Sequence, residues 1–338
     1  MAYRTPGDAA GTSGRSGPED VSSVSGNLVY QAASGASVML PDGQFASDAT
    51  YRQQGDDLVL TGPDGTTVTV EGYFLADPAP DLLTPEGGRM TPALVESFTP
   101  PESAGQYAQA GQVAQAADAI GQVQDLSGQA FVIRANGTRE QLAAGDAVFQ
   151  GDVVETAAGG AINLLFVDET TFALGADARL ALDEMVFNPA TQTGSSSFSV
   201  LKGVFVFVSG QIAQTDNTQM TVTTPVATIG IRGTTVAGDV RPAGEESTFT
   251  VIDGEIAIVT QGGTVLMSEA NATTIITSFL APPSPPVVFT PQQLDSNYGS
   301  VKDVSSNYYG GGTNRPGDSD PEAGEEEDLN DIEPSAGG

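Results

Sequence analysis

The sequence predicts an all-β protein: a sandwich, a roll or a short solenoid, preceded by a small β-rich unit and flanked by disordered arms. Short apolar runs recur along the middle of the chain, and turn signals such as Asn136-Gly137 and Gly262-Gly263 separate them. Glycine (41) and proline (21) are plentiful, as in chains with many tight turns. Only the stretch near 105–120 has the residue spacing of a weak helical face.

The charge composition excludes several classes of function. The 338 residues include 43 Asp plus Glu and 12 Lys plus Arg, for a formal net charge of −31. So acidic a surface repels phosphate backbones and anionic membranes, and we expect no nucleic-acid partner. The absence of His and Cys removes disulfides, imidazole or thiolate metal sites and Ser-His-Asp catalysis. We therefore expect no enzymatic activity and no cofactor, although the acidic surface is compatible with weak Ca²⁺ association.

Composition divides the chain into five predicted units. Segments with little apolar surface cannot offset the entropy of folding and predict disorder, whereas closely spaced strand runs predict folded units. In chain order the units are a disordered arm (1–26), a small β-rich unit that ends in a Pro-rich linker (27–100), a short helix or linker (101–118), the main β domain (119–281), and a Pro-rich, then acidic, disordered tail (282–338).

Local patterns predict the elements of both folded units. In the first unit, the runs 57–61 and 66–70 flank Pro63-Asp64-Gly65 and predict a β-hairpin. Six prolines between 77 and 101 predict an extended linker. In the main domain, Asp253-Gly254 predicts a turn between two strands. The predicted strands of that domain are 129–134, 161–167, 171–174, 179–186, 197–208, 220–223, 227–231, 248–252, 255–260, 264–267 and 273–277.

Residues 121–267 resemble the FecR domain family. The most specific block is the last, in which a proline precedes Arg-Gly-Thr at the end of a β-rich segment. The blocks that carry the resemblance, in order, are Gly121-Gln122-Val123, Gly128-Gln129-Ala130-Phe131-Val132, the double turn from Gly145 to Thr156, Ala161-Ile162-Asn163-Leu164-Leu165-Phe166, the segment from Asp168 to Leu174, Leu201-Lys202-Gly203-Val204-Phe205, and Thr224-Pro225-Val226-Ala227-Thr228-Ile229-Gly230-Ile231-Arg232-Gly233-Thr234.

This resemblance implies a FecR-like fold and a role in protein contact. The namesake of the family is a transmembrane regulator that carries a signal from an outer-membrane siderophore receptor to a cytoplasmic sigma factor. No run in this sequence approaches the roughly 18 to 20 apolar residues of a membrane helix. We therefore expect that a signalling role of this kind would need a membrane-anchored partner.

A shorter resemblance lies in the first unit. The segments 55–60 and 65–74 are similar to the N-terminal prefix segments of large biofilm adhesins that bacteria export by type I systems. Together the two resemblances imply a non-catalytic, adhesin-like interaction or structural module of a bacterial envelope or secreted surface protein, which contacts a protein or glycan. The alternative is a component of FecR-type transmembrane signalling that regulates sigma-factor activity or iron uptake.

The N-terminus bears on the expected location. Residues 1–27 have neither the basic start nor the apolar core of a classical signal peptide. We therefore expect a secreted or cell-surface protein that leaves the cell by a non-classical route such as type I export. The periplasm and the cytoplasm are the alternatives.

Arg232-Gly233-Thr234 is the candidate partner-contact loop. In the first interpretation, these residues present an exposed surface to another protein. In the second, Gly233 adopts a positive φ and Arg232 pairs with a nearby carboxylate, so that the motif serves the fold. We favour the second interpretation, because Gly and Thr are common turn residues.

Three other clusters also have two interpretations each. Gly145-Asp146, Gly151-Asp152 and Asp168-Glu169 offer the oxygen ligands that Ca²⁺ prefers, but Asp side chains that cap their own turns explain them more simply. The pair Asp183-Glu184 has the chemistry of a glycoside hydrolase, yet a chain this acidic contains many such pairs by chance. Phe205-Val206-Phe207 fits either a ligand groove or a strand with one buried face.

Overall fold

A computed structural model describes residues 26–100, 118–215 and 220–305 of the chain. Residues 105–117 of the predicted helix near 105–120, and nearly all of the predicted arm at 1–26, lie outside these residues. The elements of the first unit are β1 (Asn27–Gln31), β2 (Ser37–Met39), α1 (Gly43–Asp48), β3 (Thr50–Gln54), β4 (Asp57–Thr61), β5 (Thr67–Glu71), a 3-10 turn (Tyr73–Leu75), β6 (Asp81–Leu83), β7 (Arg89–Met90) and α2 (Pro92–Ser97).

The remaining described elements belong to the main domain and to the segment that follows it. They are β8 (Gly121–Ser127), β9 (Ala130–Ile133), β10 (Arg139–Gln141), β11 (Ala147–Val148), β12 (Val153–Thr156), β13 (Ala161–Phe166), β14 (Thr171–Leu174), β15 (Arg179–Asn188), β16 (Thr193–Val208), α3 (Ile212–Thr215), β17 (Met220–Thr223), β18 (Thr228–Val240), β19 (Ser247–Thr260), β20 (Gly263–Met267), β21 (Ala272–Ile276), β22 (Val287–Val288), α4 (Pro291–Tyr298) and a 3-10 turn (Gly299–Val301).

Two small sheets form the first unit. The predicted hairpin is confirmed: β4 and β5 pair antiparallel, and a four-stranded sheet forms in the order β1-β5-β4-β3. Along this hairpin the buried residues alternate with more exposed ones, which places Leu58, Leu60, Val68 and Val70 on one fully buried face. The second sheet, β2-β6-β7, is formed largely by residues that we predicted to be an extended linker.

The Pro-rich stretch is therefore structured, which corrects that prediction. Pro92 stands in the first turn of α2, where a missing backbone N–H costs nothing, and the Thr91 side chain accepts a hydrogen bond from the Leu94 N–H. The helix buries Leu94 and Val95 completely. In this segment prolines occupy element boundaries, so a high proline count is compatible with a packed structure.

One sheet of 15 strands, β8 to β22, forms the main domain, and its strands are antiparallel except for the pair β16–β17. Its long path runs β10-β9-β12-β15-β16-β17-β18-β19-β21-β22. The first part of β16 pairs with β15, whereas residues 203–208 pair with β14 and β18. One strand, β16, thus joins the two parts of the sheet by changing partners along its length, and the all-β prediction is confirmed.

The aromatic run on β16 lies inside the protein. Phe205 and Phe207 are fully buried, and the Phe172 ring centroid lies 5.5 Å from the centroid of each. Val206, on the opposite face of the strand, is also buried and belongs to a cluster that contains Leu294 of α4. Both faces of this strand are covered, so of the two interpretations the ligand groove is excluded and the buried strand holds, with both of its faces buried instead of one.

Residues 282–305 are ordered, which corrects the prediction of a disordered tail over that range, and the rest of the predicted tail, 306–338, lies outside the described residues. Thr290 and Gln293 form a capping box at the start of α4. Tyr298 is completely buried, and its hydroxyl shares hydrogen bonds with Thr250 Oγ1 at 2.7 Å and Thr248 Oγ1 at 3.0 Å. Leu294 and Tyr298 of α4 belong to one buried cluster with Val206 of β16, so the helix covers this face of the sheet.

The two units share a hydrophobic core at a junction built around Arg179. Val153, Ala181 and Leu201 of the main domain belong to the same buried cluster as the hairpin of the first unit. Arg179, whose side chain is 8% exposed, donates from Nη1 to the carbonyl oxygen of Ala49 at 2.9 Å. This buried cation therefore ties β15 to the first unit.

Two further groups enclose the guanidinium of Arg179. Its Nε lies 3.1 Å from Glu155 Oε1, an ion-pair contact outside hydrogen-bond geometry. Its central carbon lies 5.1 Å from the ring centroid of Phe98. Burial lowers the pKa of Arg179, and the nearby Glu155 carboxylate opposes that shift.

We predict that Arg179→Ala destabilises the whole described structure. The substitution leaves the Ala49 carbonyl and the Glu155 carboxylate without their buried cation, which costs about 3 kcal/mol. Urea denaturation followed by circular dichroism measures this cost. The matched control is Arg232→Ala, whose ion pair is about half-exposed and contributes about 0 to 1 kcal/mol. Equal costs for the two variants would contradict the role of Arg179.

Candidate functional site

The structure places Arg232-Gly233-Thr234 in a β-bulge, where the register of the antiparallel pair β18 and β19 shifts. Arg232 Nη1 lies 3.1 Å from Glu255 Oε1 across the two strands, and both side chains are about half-exposed. Thr234 is 3% exposed: its N–H donates to Ser209 Oγ at 2.7 Å, and its hydroxyl donates to the Asp253 carbonyl oxygen. Of this motif, the arginine side chain is therefore presented to solvent, and the threonine serves the fold.

Two glycines with positive φ make this bulge. Gly233 has a φ of 54° and Gly254 has a φ of 86°. A Cβ on Gly254 would lie 2.4 Å from the Gly233 carbonyl oxygen, whereas a Cβ on Gly233 would meet nothing closer than 3.8 Å. Backbone conformation alone thus requires glycine at 233, while both conformation and close approach require it at 254.

The same bulge corrects the prediction of a turn at Asp253-Gly254. β19 continues from Ser247 to Thr260, and its register with β18 shifts between Arg232 and Thr235. An Asp-Gly pair predicts a turn because glycine accepts a positive φ, but a bulge uses the same property to bend a strand without ending it.

The carboxylates weighed as calcium ligands cap their own turns. Asp146 accepts from the Ala143 N–H at 2.8 Å, and Asp152 accepts from the Phe149 N–H at 2.8 Å. Asp168 accepts from the N–H and from the hydroxyl of Thr170. Within the residues that the structure describes, no cluster of three or more acidic side chains is arranged to hold a metal ion.

The pair Asp183-Glu184 is divided between two environments. Glu184 is exposed and accepts from Ser195 Oγ at 2.6 Å. Asp183 lines a cleft of about 280 Å³ together with Glu96, and its Oδ2 accepts from Ser199 Oγ at 2.7 Å. Burial raises the pKa of Asp183, and the hydrogen bond from Ser199 opposes the shift. This cleft therefore contains two acids, Asp183 and Glu96. The sequence had suggested Glu184 as the partner of Asp183, and Glu184 does not line the cleft.

A second cleft, which we call the junction cleft, opens between the two units. It has a volume of about 400 Å³, and its charged lining residues are Arg52, Arg139, Arg179 and Glu155. Three arginines face one glutamate there, for a local charge of +2 in a chain whose net charge is −31. The three arginines are far apart in sequence, and only the shared core brings them together, so no local motif could have revealed this site.

Comparisons with known proteins identify the class of the main domain. Residues 152–257 match the family model described as FecR protein. This part of the chain is a FecR domain, which confirms the resemblance noted in the sequence over those residues. No curated protein matches the chain.

Three solved structures are similar to parts of the chain. One, named a cell surface anchoring domain, is 34% identical with a TM-score of 0.19, and the match covers 19% of this chain and 84% of that one. Two others are crystal structures of a Parabacteroides distasonis protein assigned as an anti-sigma factor. Each is 12% identical and covers 43% of this chain, with TM-scores of 0.35 and 0.34, and the chain spans 63% and 62% of their lengths.

No helix among the described residues is long and apolar enough to cross a bilayer.

We predict that Gly233→Val destabilises the domain far more than Gly263→Val. A β-branched residue at a φ of 54° is strained by about 1 to 3 kcal/mol. At Gly263, in contrast, a Cβ would meet Pro282 at an ordinary 3.6 Å, and we expect a change within about 0.5 kcal/mol. Thermal unfolding of both variants gives the comparison. A Gly233→Val variant as stable as wild type would show that the bulge tolerates a side chain.

We predict that Asp183→Asn stabilises the chain at about pH 7.5 more than at about pH 4. Because the folded state raises the pKa of Asp183, the ionised carboxylate costs stability above that pKa, and the cost fades as the pH falls toward the unfolded value of about 3.9. Glu184→Gln, on the exposed neighbour, is the control and should change little at either pH. Melting temperatures at both pH values test this, and a larger gain at about pH 4 would be the contrary result.

Proposed function

We propose that this chain is a non-catalytic protein-interaction module of the bacterial cell envelope, built on a FecR domain. The FecR match at residues 152–257 carries the proposal. Unpaired strand edges also support it, because β3, β10 and β20 each pair with one described strand and have no described strand on the other side. Such edges, with the charged cleft between the units, provide surfaces that another protein can recognise.

Between the two roles weighed for such a module, the FecR match favours regulation over adhesion. The FecR resemblance extends over a folded domain, whereas the adhesin resemblance is restricted to the hairpin region at 55–74. In the regulatory role the chain changes sigma-factor activity or iron uptake by contact with another envelope protein. An adhesin-like surface role is the second candidate, with its support in that hairpin region.

The chemistry of the side chains supports binding rather than catalysis. The chain has no His and no Cys, so the commonest general base and the thiolate nucleophile are missing. The cleft with Glu96 and Asp183 is the place where a carboxylate enzyme would act. We propose that burial at the junction, and not a reaction, explains the environment of Asp183.

Gene deletion with two readouts separates the regulatory role from the surface role. For the regulatory role we expect a several-fold change in transcripts controlled by a sigma factor, with surface attachment unchanged, and recovery when the full chain is restored. Loss of attachment with an unchanged transcriptome would favour the adhesin-like role. A strain that matches wild type in both readouts would contradict the proposal.

Complementation with altered acids tests the proposal that the chain is not an enzyme. We expect the double variant Glu96→Gln, Asp183→Asn to restore the deletion strain as fully as wild type, because neither carboxylate has a chemical role. Western blotting and melting temperature establish that the variant is folded and present. A folded variant that fails to complement would show that the acids of this cleft are needed for function.

A further inference from the structure

The junction cleft is lined along one side by a single strand edge. Thr50, Tyr51, Arg52 and Gln53 are consecutive residues of β3, and all four line the cleft. Successive side chains of a strand point to opposite faces, so four consecutive residues line one cavity only where the cavity runs along the edge of the strand. β3 pairs with β4 on one side and with no other described strand.

The opposite side of the cleft belongs to the main domain. The hairpin of β9 and β10 contributes Ile133, Gly137 and Arg139, and the first unit contributes Phe98 and Pro100 at one end. The volume of about 400 Å³ lies within the range of ligand sites, roughly 300 to 1,000 Å³. The cleft is therefore an open groove with a free strand edge, apolar walls and positive charge.

Two of the three arginines in this cleft have exposed side chains. The side chain of Arg52 is exposed and forms no hydrogen bond or ion pair with the residues that the structure describes. Arg139 is about half-exposed, lies 3.5 Å from a Glu155 oxygen, and stacks over the Phe131 ring at 3.7 Å. Arg179, in contrast, is committed to Ala49 and Glu155. The guanidinium of Arg52 is thus unshared, and that of Arg139 stays exposed to solvent beside its long contact with Glu155, so both can meet an anionic ligand.

The positive charge of this groove favours an anionic ligand. Guanidinium groups form paired hydrogen bonds with carboxylates, and an unshared arginine at a surface is a ready partner for them. The acidic surface elsewhere repels an anion at long range, but at physiological salt that repulsion is screened beyond about 8 Å. The local charge of +2 therefore decides binding inside the cleft.

We propose that the junction cleft binds an acidic peptide segment of a partner protein, added in extended conformation to the edge of β3, with its carboxylates on Arg52 and Arg139. The free strand edge favours a peptide over an acidic sugar, because only a peptide backbone pairs with another strand. This inference rests on the proposed role in protein contact and gives that contact a place and a chemistry.

Binding of labelled heptapeptides to the full chain tests the inference. The probe alternates glutamate and threonine, and its counterpart alternates glutamine and threonine. By fluorescence anisotropy we expect the acidic peptide to bind, with an affinity that falls as salt is added, and the glutamine peptide not to bind. Arg52→Gln and Arg139→Gln should each weaken the binding by about tenfold. Arg232→Gln, on an exposed arginine outside the cleft, should bind as wild type does.

Two further probes separate strand pairing from simple attraction of anions. An acidic heptapeptide that is N-methylated at alternate backbone positions keeps its charge but loses strand hydrogen bonds, and we expect it not to bind. Oligogalacturonate, an acidic sugar chain, should also fail to bind. Equal binding of either probe, or no effect of Arg52→Gln and Arg139→Gln, would overturn the inference, as would failure of the acidic peptide to bind.

The genetic readouts keep this inference distinct from the proposed function. If the acidic peptide does not bind but deletion of the gene still alters sigma-controlled transcripts, the inferred cleft is wrong and the proposed regulatory role stands. If the peptide binds as expected but deletion changes neither transcripts nor attachment, the proposed function fails while the cleft remains a binding site.

Discussion

The buried guanidinium of Arg179 is the interaction on which the arrangement of the two units depends. It reaches from β15 of the FecR domain to the Ala49 carbonyl of the first unit, between Glu155 and the ring of Phe98. A buried cation with one partner missing is strongly destabilising, so this residue holds the units in one relative position. That position creates the junction cleft, because the edge of β3 and the β9–β10 hairpin face each other only when the units are docked.

Patterns within a few residues of each other predicted much of the fold. The hairpin of β4 and β5, the short strands β14 and β17, and the all-β class follow from alternation, turn residues and strand propensity. The Arg-Gly-Thr signature led to the FecR domain. The local signals were misleading where one residue type occurs in two kinds of structure. Glycine occurs both in turns and in bulges, as Gly254 does within β19. Proline occurs both in linkers and in the first turn of a helix, as Pro92 does in α2.

The candidate site was not predictable in this way, since it depends on contacts between distant residues. Arg52, Arg139 and Arg179 have no common motif, and the composition shows only that basic residues are rare. The Arg-Gly-Thr motif, which the sequence did single out, contributes one exposed side chain and two residues that serve a bulge. Tertiary packing, and not local pattern, decides which charged groups share a surface.

Native-state hydrogen exchange tests most directly whether the two units form one cooperative structure. If Arg179 and the shared core join them, the most protected amides of β4 and of β15 will exchange with the same free energy of opening, within about 1 kcal/mol. Both will lose protection together in Arg179→Ala. Exchange of the β4 amides at a much lower free energy, with β15 still protected, would show that the first unit opens independently and would contradict the account.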